Sequence, residues 1–171
     1  MMLHTITKIL IVASLLLSAA IFGFFYAWVC STMWGLDAAD PRIAIQSMQA
    51  MNASVRNAVF APAFFGTPFA LGLVAIVLWR QRYATGALFF AASALVYFGL
   101  GLLLTMFVNV PMNETLALVV VPSDIEDARA IWMEYSPRWQ FWNQFRTMTS
   151  GVSFVLAVAG VLSFTKRPNI A

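Results

Sequence analysis

The chain has 171 residues, of which 61% are hydrophobic and only 10% are charged. Soluble domains of this size do not have so apolar a composition, so the protein is predicted to be an integral membrane protein. The formal net charge is +3, but no basic patch with interleaved aromatic residues accompanies it, which argues against binding of nucleic acid. The single cysteine, Cys30, excludes an internal disulfide.

Four segments are long and apolar enough, or nearly so, to cross a bilayer, which takes about 20 residues. They cover residues 6–29, 62–79, 84–108 and 148–165. The apolar run of the first segment is too long for the core of a signal peptide, so we expect an uncleaved anchor. The fold class predicted is an all-α membrane protein, a bundle of four transmembrane helices that forms a single domain over residues 1–171, with extra helices in two long outer loops.

The distribution of charge predicts how the bundle is oriented. One side of the membrane carries five basic residues and no acid, namely Lys8, Arg80, Arg82, Lys166 and Arg167. All seven acids lie on the other side. The positive-inside rule therefore places both termini and the turn at residues 80–82 in the cytoplasm, in a plasma or inner membrane.

The first outer loop contains the signals of a helix that closes the bundle. Asp40 followed by Pro41 is typical of a helix start, with the aspartate as N-cap and proline at the first helical position. The predicted helix covers residues 41–60 and has one apolar stripe, flanked by the polar residues Gln49, Asn52 and Arg56. We expect it to lie across the outer end of the bundle, apolar stripe inward, with these three residues near the segment 143–146.

The second outer loop contains three further signals. Pro111 disfavours a helical conformation at Val110, so the third span is predicted to end there. Ser123 and Glu126 have the spacing of a capping box, which predicts a separate helix over residues 124–135. Ser136-Pro137 then predicts the start of the last helix, which would run to residue 165.

Four residues at the mouth of the last span share one helix face: Trp139, Trp142, Asn143 and Arg146. Arginine is costly near hydrocarbon unless it is paired, which favours a functional site. The alternative is an interfacial belt of tryptophans beside a snorkelling arginine. For Arg146 we predict that it points into the bundle and hydrogen-bonds oxygen atoms of the segment 109–113 or of the helix 41–60.

The remaining polar residues predict a cavity without a metal. Its rim would consist of Tyr97, Asn109, Asn113, Asn143 and Arg146. The only histidine, His4, lies at the opposite side of the membrane, which argues against a histidine-ligated haem, copper or zinc. No nucleotide-binding motif is present. Carboxylates at Asp37, Asp40 and Glu114 have no recognisable metal-ligand spacing, so no metal and no cofactor are predicted.

The motifs, taken together, resemble a known family. Met48-Gln49-Ala50-Met51-Asn52 is followed by the stretch from Asn109 to Leu116 and then by Trp132-x-x-Tyr135-x-x-x-Trp139-x-x-Trp142-Asn143-x-x-Arg146-Thr147. This order resembles the anthrone oxygenase-like family of small four-span membrane proteins. The resemblance implies oxidation of anthrones to anthraquinones without metal or flavin. Members commonly have histidine after the Trp-x-x-Trp-Asn stretch, whereas this chain has Gln144, which cannot accept a proton at neutral pH.

Two functions from different classes follow. The first is a membrane-embedded, cofactor-independent oxygenase that acts on an apolar, polycyclic phenolic molecule of the anthrone type. Its candidate substrate-binding residues are Gln49, Asn52, Asn109, Asn113, Trp139, Trp142, Asn143 and Arg146, with the asparagines and the arginine holding an enolate-like oxygen. The alternative is a non-enzymatic protein that binds a small molecule, or an accessory subunit, in the lipid bilayer.

Overall fold

The computed structural model describes residues 4–163, and the regular elements in this part of the chain are all helices, without strands. Five helices are present within these residues: α1 (Thr5–Ala38), α2 (Pro41–Ser54), α3 (Phe60–Arg80), α4 (Ala84–Ala117) and α5 (Ile125–Leu162). All except α2 are long and apolar enough to cross a membrane. The protein is therefore an all-α integral membrane protein, as the composition predicted. The basic pair at residues 166–167 and the predicted end of the last span at residue 165 lie outside the described residues.

The four long helices form a closed square. Helix α1 packs against α3 and α5, and α4 packs against the same two helices. Successive helices run in opposite directions, so α2 and the last turns of α1 and α4 gather at one end of the bundle, which we call the lid end. The opposite end carries the short connection at residues 81–83 and is called the turn end. Large apolar side chains such as Leu16, Phe69 and Leu95 are exposed along the spans, as expected for a surface in contact with lipid.

Helices α1 and α4 contain turns wider than an α-helix. In α1 the wide turn is Trp28–Thr32, and in α4 the wide turns are Tyr97–Leu103 and Thr105–Asn109. Wide turns of this kind release backbone groups from the regular ladder and are frequent at functional sites. All three lie in the half of the bundle nearest the lid end, so the helices there do not follow the straight course that they have near the turn end.

The prediction that the third span ends at Val110 is wrong. Helix α4 continues through Pro111 to Ala117. The proline lacks an N–H group, and its ring would clash with the carbonyl of the preceding turn of a regular α-helix. The wide turn Thr105–Asn109 comes directly before it and changes the spacing of those carbonyls, so the helix passes the proline without breaking.

The helix predicted over residues 124–135 and the last helix, predicted to start at Ser136-Pro137, are a single helix. Helix α5 runs unbroken for 38 residues, with Pro137 in its interior. Its N-cap is Asp124, whose side chain accepts hydrogen bonds from the N–H groups of Glu126 and Asp127, so the predicted capping box at Ser123 is also wrong. Ser136 does not cap a helix: its hydroxyl donates to the carboxylate of Asp37 at 2.7 Å. Ser136, which the local sequence pattern assigned to a helix start, thus binds a residue at the end of α1 instead.

Helix α2 covers the lid end. Asp40 caps it by accepting from the N–H of Arg42 at 2.9 Å, with Pro41 in the first position, as predicted. The helix ends at Ser54 and not at residue 60, because the side-chain oxygen of Asn57 accepts the N–H groups of Val59 and Phe60 and starts α3 instead. The apolar stripe faces inward, with Ala44, Ile45 and Met48 fully buried, as expected for a helix that closes the bundle. We call α2 the lid helix.

Candidate functional site

A cavity of about 580 Å³ lies below the lid helix, where the wide turns separate α1, α3, α4 and α5. Its walls are mainly apolar, and the aromatic residues among them are Phe24, Phe25, Trp28, Phe60, Phe64, Phe65 and Trp139. A smaller number of polar side chains interrupts the apolar lining: Asn52, Arg56, Asn57, Thr105, Asn113, Glu114 and Arg146. Cavities of about 300–1,000 Å³ with apolar walls and a few convergent polar groups are typical of small-molecule sites.

Arg146 is the one charged side chain in this lining that is buried, being 5% exposed. Its Nε donates to Oδ1 of Asn143 at 3.0 Å, and Nη1 lies 3.5 Å from the hydroxyl of Thr105. The guanidinium carbon lies 4.4 Å from the ring centre of Phe25 and 5.1 Å from that of Trp139. Aromatic faces stabilise a cation of this kind but do not neutralise it.

No ion pair among residues 4–163 involves Arg146, so its charge is not matched by a carboxylate of the described chain. The prediction that Arg146 points into the bundle agrees with this geometry. The prediction that it bonds the segment 109–113 or the lid helix does not, because the wide turns of α4 bring Thr105 to that place instead. An unmatched buried cation on an apolar cavity wall is suited to an anionic oxygen.

Asn113 joins three elements around the cavity. Its Oδ1 accepts from the hydroxyl of Tyr135 and from Nε1 of Trp139, each at 2.8 Å. Its Nδ2 donates to Oδ1 of Asn52 on the lid helix at 3.0 Å. The oxygen of Asn113 is thus fully used within the protein. This side chain holds the lid helix and the indole of Trp139 in place rather than offering its oxygen to a ligand.

Asn52 leaves one donor without a partner. Its Nδ2 is buried and has no hydrogen-bond acceptor within the described residues, while Asn52 itself lines the cavity. A buried amide without an acceptor costs about 1–3 kcal/mol, so such groups call for a ligand or another explanation. Because this atom has almost no accessible surface, it does not face the cavity, and the guanidinium of Arg146 remains as a donor for an oxygen atom bound there.

The eight residues predicted to bind a substrate are not all brought together. Asn52, Asn113, Trp139 and Arg146 line the cavity. The remaining four have other surroundings and do not line it. Whether any of the eight contacts a substrate stays a prediction.

Each of the four residues outside the lining has a defined place. Asn143 orients Arg146 and donates to the carbonyl of Phe25 at 3.3 Å. Gln49 donates to the carbonyls of Leu116 and Val119 and so fixes the lid helix to the end of α4. Asn109 is fully buried, and neither of its side-chain polar atoms has a hydrogen-bond partner among residues 4–163. Trp142 packs edge-on against Phe141 and Phe145.

Tyr97, which was expected at the rim, is buried in the bundle and has a structural partner. Pro68 has no N–H group to bond the carbonyl of Phe64, four residues earlier in α3. The hydroxyl of Tyr97 donates to that carbonyl at 3.0 Å. Its ring lies against Gly101, where an added Cβ would approach it to 2.8 Å. Tyr97 therefore compensates the proline of α3 and does not line the cavity.

The mouth of the cavity carries an ion pair that the sequence patterns did not predict. Arg56 and Glu114 both line the cavity, and Nη2 of the arginine lies 3.3 Å from Oε1 of the glutamate. Both side chains are exposed. Glu114 directly follows Asn113, which was the available signal, but the sequence patterns gave it no role in the cavity and no recognisable metal-ligand spacing. The charged pair gives the cavity a polar opening at the lid end.

The position of the family's histidine does not belong to the cavity. Gln144 is exposed and is absent from the lining, although Asn143 beside it is buried. Consecutive residues of a helix point about 100° apart, so a side chain at position 144 is directed away from the arginine. The exchange of histidine for glutamine there changes no cavity-lining residue.

The carboxylates that had been considered as metal ligands are dispersed. Within residues 4–163 no three acids, histidines or cysteines come together as a metal site. Asp37 accepts from Nε1 of Trp132, the hydroxyl of Ser136 and Nε2 of Gln140, at 2.7–2.9 Å. This carboxylate attaches the end of α1 to α5. Asp40 caps the lid helix, and Glu114 pairs with Arg56.

Comparison with known proteins gives one match. A family model described as anthrone oxygenase matches residues 57–156, which is more than half of the chain. The matched region includes α3, α4 and most of α5, and with them Asn113, Trp139 and Arg146, but it excludes the lid helix. No curated protein and no solved structure matches the chain.

Proposed function

Because the chain belongs to the anthrone oxygenase family, we propose that it is a membrane-embedded, cofactor-independent oxygenase that acts on an apolar polycyclic phenol of the anthrone type. The observation that carries this proposal is the unmatched guanidinium of Arg146 on the wall of an aromatic cavity. Flat aromatic rings fit such walls, and an enolate oxygen fits the cation.

The proposed reaction converts the central methylene group of an anthrone to a carbonyl group. A base removes one methylene proton. The resulting enolate carries its negative charge on the oxygen atom of the anthrone's carbonyl group. The enolate carbon then reacts with O2 to give a hydroperoxide after protonation. Loss of water from the hydroperoxide leaves the quinone carbonyl, so one oxygen atom of O2 enters the product and the other leaves as water. O2 is the oxidant, and the anthrone is oxidised.

Two residues of this chain would act on the substrate. Arg146 stabilises the enolate oxygen, because a donor already oriented in a water-poor site acts strongly on developing negative charge. Glu114 is the carboxylate in the described lining and would accept the methylene proton. Asn143 is a positioning residue, since it holds Nε of Arg146 and directs the other guanidinium nitrogens.

The test uses purified protein in lipid nanodiscs with 1,8-dihydroxyanthrone. We expect binding and formation of the anthraquinone, with O2 uptake, at rates above those of protein-free nanodiscs. The variant Arg146→Gln should bind the phenol about 10- to 100-fold more weakly, the range expected when a charge-assisted hydrogen bond of about 1.5–3 kcal/mol is lost. Arg138→Gln is the matched control, because Arg138 is exposed on the same helix, and it should behave as the wild type.

Three outcomes separate the hypotheses. Turnover that falls in Glu114→Gln, with binding retained and a changed pH profile, supports the proton transfer. Binding without turnover in the wild-type protein would favour the non-enzymatic alternative, a protein that binds the phenol in the membrane. Equal binding of the phenol by the wild type and Arg146→Gln would contradict the assignment of the cavity as its binding site.

We also propose that the lid end faces the outside and that both termini lie in the cytoplasm. The support is the pair Arg80 and Arg82 at the turn end and the acids at the lid end. Single cysteines at Gln81 and Ser123, in a background with Cys30→Ser, test this arrangement with an impermeant thiol reagent. Labelling from outside is expected at residue 123 alone, and labelling at residue 81 alone would reverse the orientation.

A further inference from the structure

A second apolar depression adjoins the cavity on the membrane-facing side. It has a volume of about 460 Å³ and lies between α1 and α3, below the connection at residues 55–59. Ala20 and Ile21 of α1, Ala63 of α3 and Val59 line it but do not line the cavity. We call this depression the side groove.

The side groove opens on the lipid-facing surface of the bundle. Ala20 is exposed and lies in the apolar part of α1, one helical turn beyond Leu16, which is 67% exposed. Val59 on the other side is 89% exposed. The mouth of the cavity differs from this surface, because the exposed ion pair of Arg56 and Glu114 lies there. The molecule thus has a charged opening toward water and an apolar depression toward hydrocarbon.

One layer of side chains separates the side groove from the cavity. Six residues line both spaces: Phe24, Trp28, Met51, Val55, Asn57 and Phe60. The rings of Phe24 and Phe60 lie 4.9 Å apart, and both residues are half-buried. A change of side-chain rotamer at these two residues would join the two spaces, without any break in the four long helices.

The backbone next to this layer is not part of a regular helix. Residues 55–59 connect the lid helix to α3, and Phe60 is the first residue of α3. The connection is held by the side chain of Asn57, which accepts the N–H groups of Val59 and Phe60 and donates to the carbonyl of Ser54. The N–H groups of Val55, Arg56 and Asn57 also bond backbone carbonyls, so the connection is held in place and the freedom that the wall needs lies in the side chains of Phe24 and Phe60.

We propose that the apolar ligand enters the cavity from the bilayer through the side groove, with Phe24 and Phe60 as the gate. This inference rests on the proposed function. An apolar polycyclic molecule concentrates in the bilayer, and the mainly apolar side groove leads from there to the layer formed by Phe24 and Phe60. The water-facing mouth would require the same molecule to leave the lipid and to pass an ion pair.

The experiment compares rates of binding in nanodiscs for two probes. The first is 1,8-dihydroxyanthraquinone, delivered from lipid vesicles, and the second is anthraquinone-2-sulfonate, which stays in water. Ala20→Phe and Ala63→Phe fill the side groove without altering a residue of the cavity lining. Ala13→Phe is the matched control: it is exposed, seven residues earlier on nearly the same face of α1, about 10 Å away along the helix.

For the lipid-delivered probe we expect both groove variants to slow association about tenfold, within the span that variants of one site show. Dissociation should slow equally, so that the equilibrium dissociation constant is unchanged, and this unchanged constant also shows that the variants are folded. The sulfonate should bind at wild-type rates in all variants, and Ala13→Phe should match the wild type with both probes.

The contrary outcomes are distinguishable. Wild-type association rates of the lipid-delivered probe in both groove variants overturn the entry route and leave the proposed function standing. Equal slowing of both probes, or a weaker equilibrium constant, also overturns it, because the groove would then belong to the binding site itself. Failure of the wild-type protein to bind either probe overturns the proposed function, and the entry route with it.

Discussion

The two ends of the bundle are built from different side chains. Near the turn end the buried core combines aliphatic side chains with small residues such as Ala87 and Ala157, and Gly160 lies against the ring of Phe90. Near the lid end the buried positions are large and aromatic or amide-bearing, and α1 and α4 widen into π-helical turns. Small residues let helix backbones approach closely, whereas large rings hold them apart. The cavity lies where the helices are held apart.

Polar groups are treated differently at the two places. In the half of the bundle near the turn end, Ser93 and Ser153 pair reciprocally. Each hydroxyl donates to the backbone carbonyl of the other residue, at 2.7 and 2.9 Å. Near the lid end, Arg146 lacks a carboxylate partner, and buried atoms of Asn52 and Asn109 lack any partner among the described residues. Buried atoms without a partner in the described residues also occur at Ser18 and at Gln81 of the turn end, so the feature that distinguishes the lid end is the buried cation of Arg146.

The largest expected effect is the loss of the asparagine that holds the lid end together. Asn113→Leu removes the acceptor of Tyr135 and Trp139 and the donor to Asn52. Three groups lose their partner, and each buried polar group left unpaired costs about 1–3 kcal/mol, so we expect a loss of at least about 3 kcal/mol in the free energy of unfolding. Denaturant titration in micelles, followed by tryptophan fluorescence, measures it.

Asn113→Asp is the control for this variant. It keeps an acceptor for Tyr135 and Trp139 and loses only the donor to Asn52. Its effect should therefore be smaller than that of Asn113→Leu. Equal stability of the leucine variant and the wild type would show that the lid end does not depend on this hydrogen-bond network.

A smaller loss of stability is expected from a substitution near the turn end. In Gly160→Ala the new Cβ would lie 2.8 Å from the ring of Phe90 and 3.2 Å from Cβ of Phe89, so a neighbour must shift. Overpacking of this kind costs about 1–3 kcal/mol. Gly72→Ala on α3 is the matched control, because no atom of a neighbouring residue lies within 4 Å of the place that its new methyl group would take, and it should not destabilise the protein. Equal thermal stability of the two variants would contradict the difference in packing.

The smallest effect concerns the start of the lid helix. Hydrogen bonds from the Arg42 side chain and backbone lower the pKa of Asp40 from 3.8 to about 2. A depressed carboxyl pKa contributes stability that is present above the ordinary value of 3.8 and is lost as the pH falls through about 2. Hydrogen-exchange protection of the first turn of α2 should therefore decrease between these pH values. Asp40→Asn should lack this decrease, and the same pH dependence in both proteins would exclude Asp40 as its source.

Local patterns predicted some features because their causes are local. The Asp40-Pro41 helix start depends on adjacent residues alone, and the structure has it. The burial of Arg146 was predictable from the cost of a cation beside hydrocarbon. The partner of Arg146 was not, because Thr105 reaches it through wide turns that no spacing rule signals. Pro111 and Pro137 were each expected at a helix boundary, but α4 passes Pro111 after the wide turn Thr105–Asn109 and α5 has Pro137 in its interior.

The sequence by itself determined the membrane class, the number of spanning helices, the start of the lid helix and the family. Those properties follow from hydropathy, short-range capping and the order of motifs, all of which act within one segment or are read along it. Only the tertiary structure decided which predicted residues line the cavity and which support it. Trp139 faces the cavity while Trp142, three residues on, packs against Phe145. A helix face is about 100° wide, and the rotation of α5 within the bundle is set by its packing against α1 and α4.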